Sequence, residues 1–169
     1  IDLALLAFGL IVVPMYDRQD PKELAVMMAD CEPSLILCHD DELKRAITKA
    51  YPSANTITWP TALAHAPGPL SLATLEAEEA RTIIYTSGTT GSPKGALHAH
   101  RVLLGHLPGV EVSHNLMPQP GDRLWTPADW AWIGGLLDVL MPGLYHGIPV
   151  VACRFRKFTA RAAFDLMRD

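Results

Sequence analysis

Thr82-Ile83-Ile84-Tyr85-Thr86-Ser87-Gly88-Thr89-Thr90-Gly91-Ser92-Pro93-Lys94-Gly95-Ala96-Leu97-His98 is the stretch on which the reading of this chain turns. Its first five residues are β-branched or aromatic and predict a strand. A glycine-rich run follows, and residues 96–98 predict a second short strand. Gly88, Gly91 and Gly95 let the backbone turn tightly and approach a ligand with no Cβ in the way. Thr86, Ser87, Thr89 and Thr90 supply hydroxyls. Successive backbone N–H groups in such a turn form a concave nest for an anion. Lys94 adds one mobile positive charge, and no carboxylate lies among these groups. Each charge-assisted bond there is worth roughly 1.5–3 kcal/mol, so a few decide affinity. The run is not a Walker loop, because Pro93 precedes the lysine and Gly95 follows it. Nor does it hold the Gly-x-Gly-x-x-Gly spacing of a dinucleotide site.

Outward from this loop, helical and strand patterns alternate. Residues 3–8 predict a helix stopped by Gly9, and residues 10–13 a buried strand closed by Pro14. Asp20, Pro21 and Glu23 read as a helix start. Residues 35–38 and 56–59 predict strands around a helix capped by Asp40 or Asp41. Residues 60–70, rich in Pro and Ala, read as a loop, and residues 71–79 as a short helix. After the glycine-rich run come a helix near His100, a strand at 123–126 and a helix at 133–145 kinked at Pro142. A strand at 149–152 and a last helix capped by Thr159 complete the pattern. Strands separated by helices predict an α/β fold: a mostly parallel sheet with helices on both faces. Residues 1–105 read as part of one α/β subdomain carrying the loop, and residues 106–169 as the start of a second.

The chain has 169 residues, 49% of them hydrophobic, as expected of a globular protein. Its formal charge of -4 argues against a nucleic-acid partner, which would bring a basic face. The longest apolar run, residues 3–15, is too short to span a bilayer. It also lacks the Met and basic residues that open a signal peptide. Cys31, Cys38 and Cys153 show no metal-ligand spacing and read as free thiols in a reducing, cytoplasmic setting. Both ends begin or stop inside apolar helical patterns, which predicts an internal piece of a larger domain.

The run from Ile84 to Gly95 resembles the phosphate-loop signature of the adenylate-forming superfamily: acyl-CoA synthetases, luciferases and the adenylation domains of peptide synthetases. Two more segments are similar. Ala7-Phe8-Gly9-Leu10-Ile11-Val12-Val13-Pro14-Met15 looks like that family's helix-to-strand segment. Thr126-Pro127-Ala128-Asp129-Trp130-Ala131-Trp132-Ile133-Gly134-Gly135 looks like the segment that helps line the acyl pocket. The tryptophans, and Leu144-Tyr145-His146-Gly147 at the helix end, look most like acyl-CoA synthetases of the acetyl-to-medium-chain branch. The resemblance covers nearly the whole chain, but only the middle of the family's large N-terminal domain.

That resemblance implies an AMP-forming acid–thiol ligase. A carboxylic acid and MgATP give an acyl-adenylate and pyrophosphate, and coenzyme A then takes the acyl group, as in fatty acid metabolism. It implies that Thr86, Ser87, Gly88, Thr89, Thr90, Gly91 and Lys94 hold the phosphates, with Thr90 also offered to magnesium. Trp130, Trp132, Ile133 and Gly134 would lie at the acyl site. The implied partners are ATP, Mg2+, coenzyme A and a small carboxylic acid. The family's aromatic-Gly-x-Thr-Glu segment, its ribose-binding aspartate and its adenylation lysine have no match here. The 169 residues alone are therefore expected to be inactive, and to self-associate through apolar faces that the missing parts would cover.

Other readings stand beside this one. Trp130 and Trp132 are equally good core residues. His98, His100 and His106 read as structural or surface groups. Asp129 reads as a helix cap. A peptide-synthetase adenylation domain would present an aspartate for an amino group just after Trp130, and Asp138 is the nearest candidate. A non-catalytic module carrying a relic loop is the alternative of a different class.

Overall fold

The computed structural model describes residues 2–66, 68–69, 72–86, 91–153, 155 and 157–168. The chain divides into two compact units, Ile1–His100 and Arg101–Asp169.

In the first unit, helix α1 (Asp2–Ala7) ends as its glycine predicts. Gly9 adopts φ +79°. Its N–H donates to Leu6 O, and the Leu10 N–H donates to Leu5 O. This reciprocal pair satisfies two carbonyls that the helix end would otherwise leave bare. Helix α2 (Pro21–Cys31) starts on Asp20, whose side chain accepts from the Lys22 N–H at 2.8 Å. Glu23 does not close a capping box; it accepts from the Gln19 side chain instead. Strand β1 (Ile36–Cys38), helix α3 (Asp41–Ala50) and strand β2 (Thr56–Thr58) form a βαβ unit, with β1 and β2 parallel. Asp40 caps α3 by accepting from the Leu43 N–H, and this bond holds its carboxyl below the usual carboxylate range. Leu24, Met27 and Met28 of α2, Cys38 of β1 and Ile47 of α3 make the core.

Three local expectations are corrected here. Part of the stretch at 60–70 is helix α4 (Trp59–Ala64): Pro60 suits a first turn, and Thr-Ala-Leu-Ala carries good helix formers. Residues 72–76 are irregular and residues 77–79 turn, rather than forming a helix, tied by Ala73 N–H to Ala7 O and by Glu79 N–H to Glu76 O. At residues 10–13 only Val12 pairs, as a parallel bridge to Thr82, while Leu10 and Ile11 stay exposed.

Strands β3 (Ala80–Thr86) and β4 (Lys94–Ala99) pair antiparallel. A parallel pairing needs a crossover of a dozen or more residues, and the run between them is too short for one. Parallel geometry holds for β1–β2, Val12–Thr82 and Leu124–Val150, so the α/β class stands, with this hairpin as its antiparallel member among the described pairings.

In the second unit, helix α5 (Val102–Ser113) runs through Gly105, Pro108 and Gly109. Helix α6 (Ile133–Gly135), a π-helical turn (Leu136–Leu140) and helix α7 (Met141–His146) come next without a break. The expected kink at Pro142 takes the form of this wide turn. Proline offers no N–H to the carbonyl four residues back and its ring crowds that carbonyl, here Asp138; a turn widened by one residue relieves both. Accordingly the Met141 N–H donates to Leu136 O, five residues back. Gly147, at φ +69°, ends α7. Gly143 is bare because a Cβ there would lie 2.4 Å from Val150 Cγ2. Val110, Met117, Leu124, Val139 and Ile148 form this unit's core. Helix α8 (Ala160–Arg168) is capped by Thr159, which accepts from the Ala162 N–H.

Candidate functional site

The glycine-rich run connects the two strands of a hairpin. Thr86 and Lys94 are direct ladder partners, and so are Tyr85 and Gly95. The residues between them therefore leave and re-enter the sheet side by side. Ser87, Gly88, Thr89 and Thr90, including the hydroxyl offered to a metal, lie outside the described residues. Thr86 is half-buried at the end of β3. Gly91 sits at φ +96° with nothing within 4 Å of where a Cβ would be. That conformation strains any L side chain, and the space beside it is open.

Lys94 is exposed, and among the described residues no carboxylate pairs with it. Its neighbour Gly95 is bare for a packing reason. A Cβ there would lie 2.8 Å from Ile83 Cγ2 and 3.1 Å from the Tyr85 ring. Tyr85 crosses its strand partner at that point and reaches α2, where its hydroxyl lies 2.6 Å from Asp30 Oδ2 and 3.1 Å from Met27 O. Burial and the Asp30 carboxylate push the phenol's pKa above its ordinary value, so it stays a neutral donor. The base of the loop is thus pinned from below, by Tyr85 to α2 and by Ile84 in the interior.

Among the described residues no group of three or more His, Cys, Asp or Glu could hold a metal ion. Hydroxyl and phosphate oxygens are the hard donors that magnesium prefers, and it keeps several waters. Thr86 carries one such hydroxyl at the end of β3.

Trp130, Trp132, Ile133 and Gly134 lie in the second unit. Asp129 folds the turn that carries them. Its Oδ1 accepts from the Ala131 N–H at 2.8 Å, and its backbone oxygen accepts from the Trp132 N–H at 3.0 Å. Trp132 then occupies the N-cap position of α6. Neither indole is buried: Trp130 is 36% and Trp132 52% exposed. Ile133 and Gly134 are half-buried.

Gly135 anchors this turn, since a Cβ there would stand 2.4 Å from the Asp129 backbone oxygen. Gly135→Ala is expected to lower stability by about 1–3 kcal/mol, the usual cost of forcing a methyl into a filled space. Gly109→Ala, on α5 with open space around it, is the control. It is expected to stabilise by about 0.5–1 kcal/mol. Thermal melts of the two variants should move in opposite directions.

The histidines near the loop take separate paths. The His100 N–H donates to Glu79 O at 2.8 Å. His98 sits opposite Thr82, away from the loop end of the hairpin. His106, in contrast, meets Asp138 of the π turn, Nδ1 to Oδ1 at 3.1 Å. Sequence reasoning missed this pair. Pro142, four residues beyond Asp138, was the available signal that the helix would open there.

The family model described as AMP-binding enzyme matches residues 1–169. The sulfoacetate–CoA ligase of Cupriavidus necator is 30% identical over 161 residues, which is 88% of this chain and 31% of that protein. A hybrid PKS-NRPS synthetase of Trichoderma harzianum is 32% identical over 117 residues, 69% of this chain and 3% of that protein. Among solved structures, ATP-bound MatB from Rhodopseudomonas palustris superposes with a TM-score of 0.81 at 24% identity, covering 99% of this chain and 34% of that one. The chain thus spans about a third or less of these relatives' lengths, and the structural likeness establishes the fold.

Proposed function

We propose, for a chain that belongs to the AMP-binding enzyme family over its whole sequence, a part in acyl-CoA synthesis: activation of a carboxylic acid by ATP, followed by transfer of the acyl group to coenzyme A. The observation that carries this reading is the open end of the β3–β4 hairpin. Gly91 holds a left-handed backbone in free space there, and Lys94 stands exposed beside it with no described carboxylate as partner. Such groups suit the charge that shifts onto pyrophosphate as a carboxylate attacks the α-phosphorus. Fixed N–H donors and an ammonium stabilise that charge without reorganising.

In this reading Thr86, Ser87, Gly88, Thr89, Thr90, Gly91 and Lys94 bind the β- and γ-phosphates. Magnesium arrives with ATP, touched by Thr90. Trp130, Trp132, Ile133 and Gly134 contact the acid. Residues 1–105 serve as the loop-bearing subdomain, and residues 106–169 open the next. The setting is cytoplasmic, and no helix among the described residues is long and apolar enough to cross a membrane. Exposed Phe164 and Met167 support self-association of these 169 residues on their own.

The likeness to hybrid PKS-NRPS synthetases favours a second reading, loading of an amino acid onto a carrier. Acid-dependent incorporation of labelled pyrophosphate into ATP, by the protein at its natural length, separates the two. Simple carboxylic acids are expected to support exchange and amino acids not to. Exchange with amino acids alone would overturn the first reading. The 169 residues by themselves are expected to retain ATP and to give no exchange.

A further inference from the structure

We propose that His106 and Asp138 form a positioning pair that bounds the Trp132 indole. Their role toward an acid rests on the acyl-site reading above; their hold on the indole does not.

The π turn is the starting point. One extra residue in a helical turn rotates the next turn by about 100°. Such insertions recur where a side chain must be re-aimed. Here the wide turn lies between α6 and α7 and carries Asp138. Asp138 uses its two oxygens differently. Oδ1 meets His106 Nδ1 of α5 at 3.1 Å. Oδ2 points back along its own helix, 3.5 Å from the position a Cβ on Gly134 would take. The Trp132 indole borders the same position, with Cδ1 and Nε1 each 3.4 Å from it. The carboxylate and the indole therefore share the small space above Gly134, which stays open because that residue has no side chain.

Trp132 itself is more than half exposed, so burial alone does not hold its ring. Asp129 fixes its backbone, but that leaves the ring free to rotate. Asp138 borders the same space as the ring, and Asp138 is held by His106. Breaking the pair frees the carboxylate to swing into the space beside the indole, and the ring loses one wall. A side-chain contact this exposed adds little to stability, so its consequence falls on geometry.

The test monitors the indole N–H signals of Trp59, Trp125, Trp130 and Trp132 by NMR in the full chain, assigned through single Trp→Phe changes. His106→Phe removes both ring nitrogens and keeps the bulk. Asp138→Leu removes the oxygens. Each is expected to move the Trp132 signal by a similar amount, and the double variant to move it no further. Asp138→Asn, which still accepts from His106, is expected to restore it, and Trp59 should stay put throughout. With hexanoate as the probe acid, wild-type Trp132 should respond, and both pair-breaking variants should need about tenfold more acid.

A Trp132 signal unchanged by His106→Phe would overturn the proposal even if Asp138→Leu fails to fold. A shifted signal with wild-type hexanoate affinity would overturn the pair's role toward the acid and leave its hold on the indole. If hexanoate leaves wild-type Trp132 unmoved while the pair variants shift it, the acyl-site reading falls and the pair's hold on the indole stands.

Discussion

Lys94→Ala is expected to weaken MgATP binding by about ten- to a hundredfold, with little change in melting temperature. The size follows from the chemistry of the contact. A charge-assisted bond to phosphate is worth roughly 1.5–3 kcal/mol, and about 1.4 kcal/mol is tenfold. The selectivity follows from the structure. Lys94 joins the β3–β4 ladder through its backbone, its side chain is exposed, and no described carboxylate depends on it. Removing the ammonium should therefore leave the hairpin intact. Lys94→Arg retains the charge but not the compact, rotatable head, so it should fall between the two. Added salt should narrow the gap between wild type and Ala, because an exposed charge is screened within roughly 8–10 Å at ordinary ionic strength. Equal ATP affinity for wild type and Lys94→Ala, measured by calorimetry at low salt, would remove the phosphate role from this loop.

Ile84→Ala should be the most destabilising simple truncation near the site, at about 2–5 kcal/mol. Ile84 is 1% exposed, lies shortly before Ser87, and is among the largest fully buried side chains. Its loss leaves a cavity that the paired strand cannot collapse to fill, since β3 is laddered to β4 and bridged to Val12. For a unit of this size, each kcal/mol is worth about 4–8 °C, so the melting point should fall by roughly 10 °C or more. Leu97→Ala, on β4 with 61% exposure, is the matched control and should change stability by less than about 0.5 kcal/mol. A loss below about 1 kcal/mol at Ile84 would mean that β3 is not the strand that seats the loop.

The features legible from the residues in order were mostly those decided locally. Asp20, Asp40 and Thr159 cap the helices they precede, because each can reach an N–H two or three residues on. Gly9 and Gly147 end helices because only glycine enters the left-handed region without penalty. The strand–loop–strand order around Gly91 was equally legible, from β-branched residues giving way abruptly to glycine.

The misses have a common cause. Whether residues 10–13 pair along their length or at Val12 alone depends on a partner 70 positions away. The helix within residues 59–64 was hidden by Pro60, which breaks a helix interior but sits here in the first turn, where a helix tolerates proline. His106 and Asp138 stand 32 positions apart, and no periodicity links them. In the sequence Gly95 reads as a turn residue open to a ligand, and Gly135 only as the end of the Thr126–Gly135 segment. The structure shows them as close-packing residues, each bare because a neighbour already fills the place of its side chain.

The register of the hairpin has one more consequence. Since Thr86 and Lys94 face each other across the ladder, residues 87–93 begin and finish a single interstrand spacing apart, about 5 Å in any antiparallel sheet. Two neighbouring strand ends, rather than a helix terminus or a distant residue, set their span. A graft of this segment onto an unrelated two-stranded ribbon therefore has to match that spacing at its two ends.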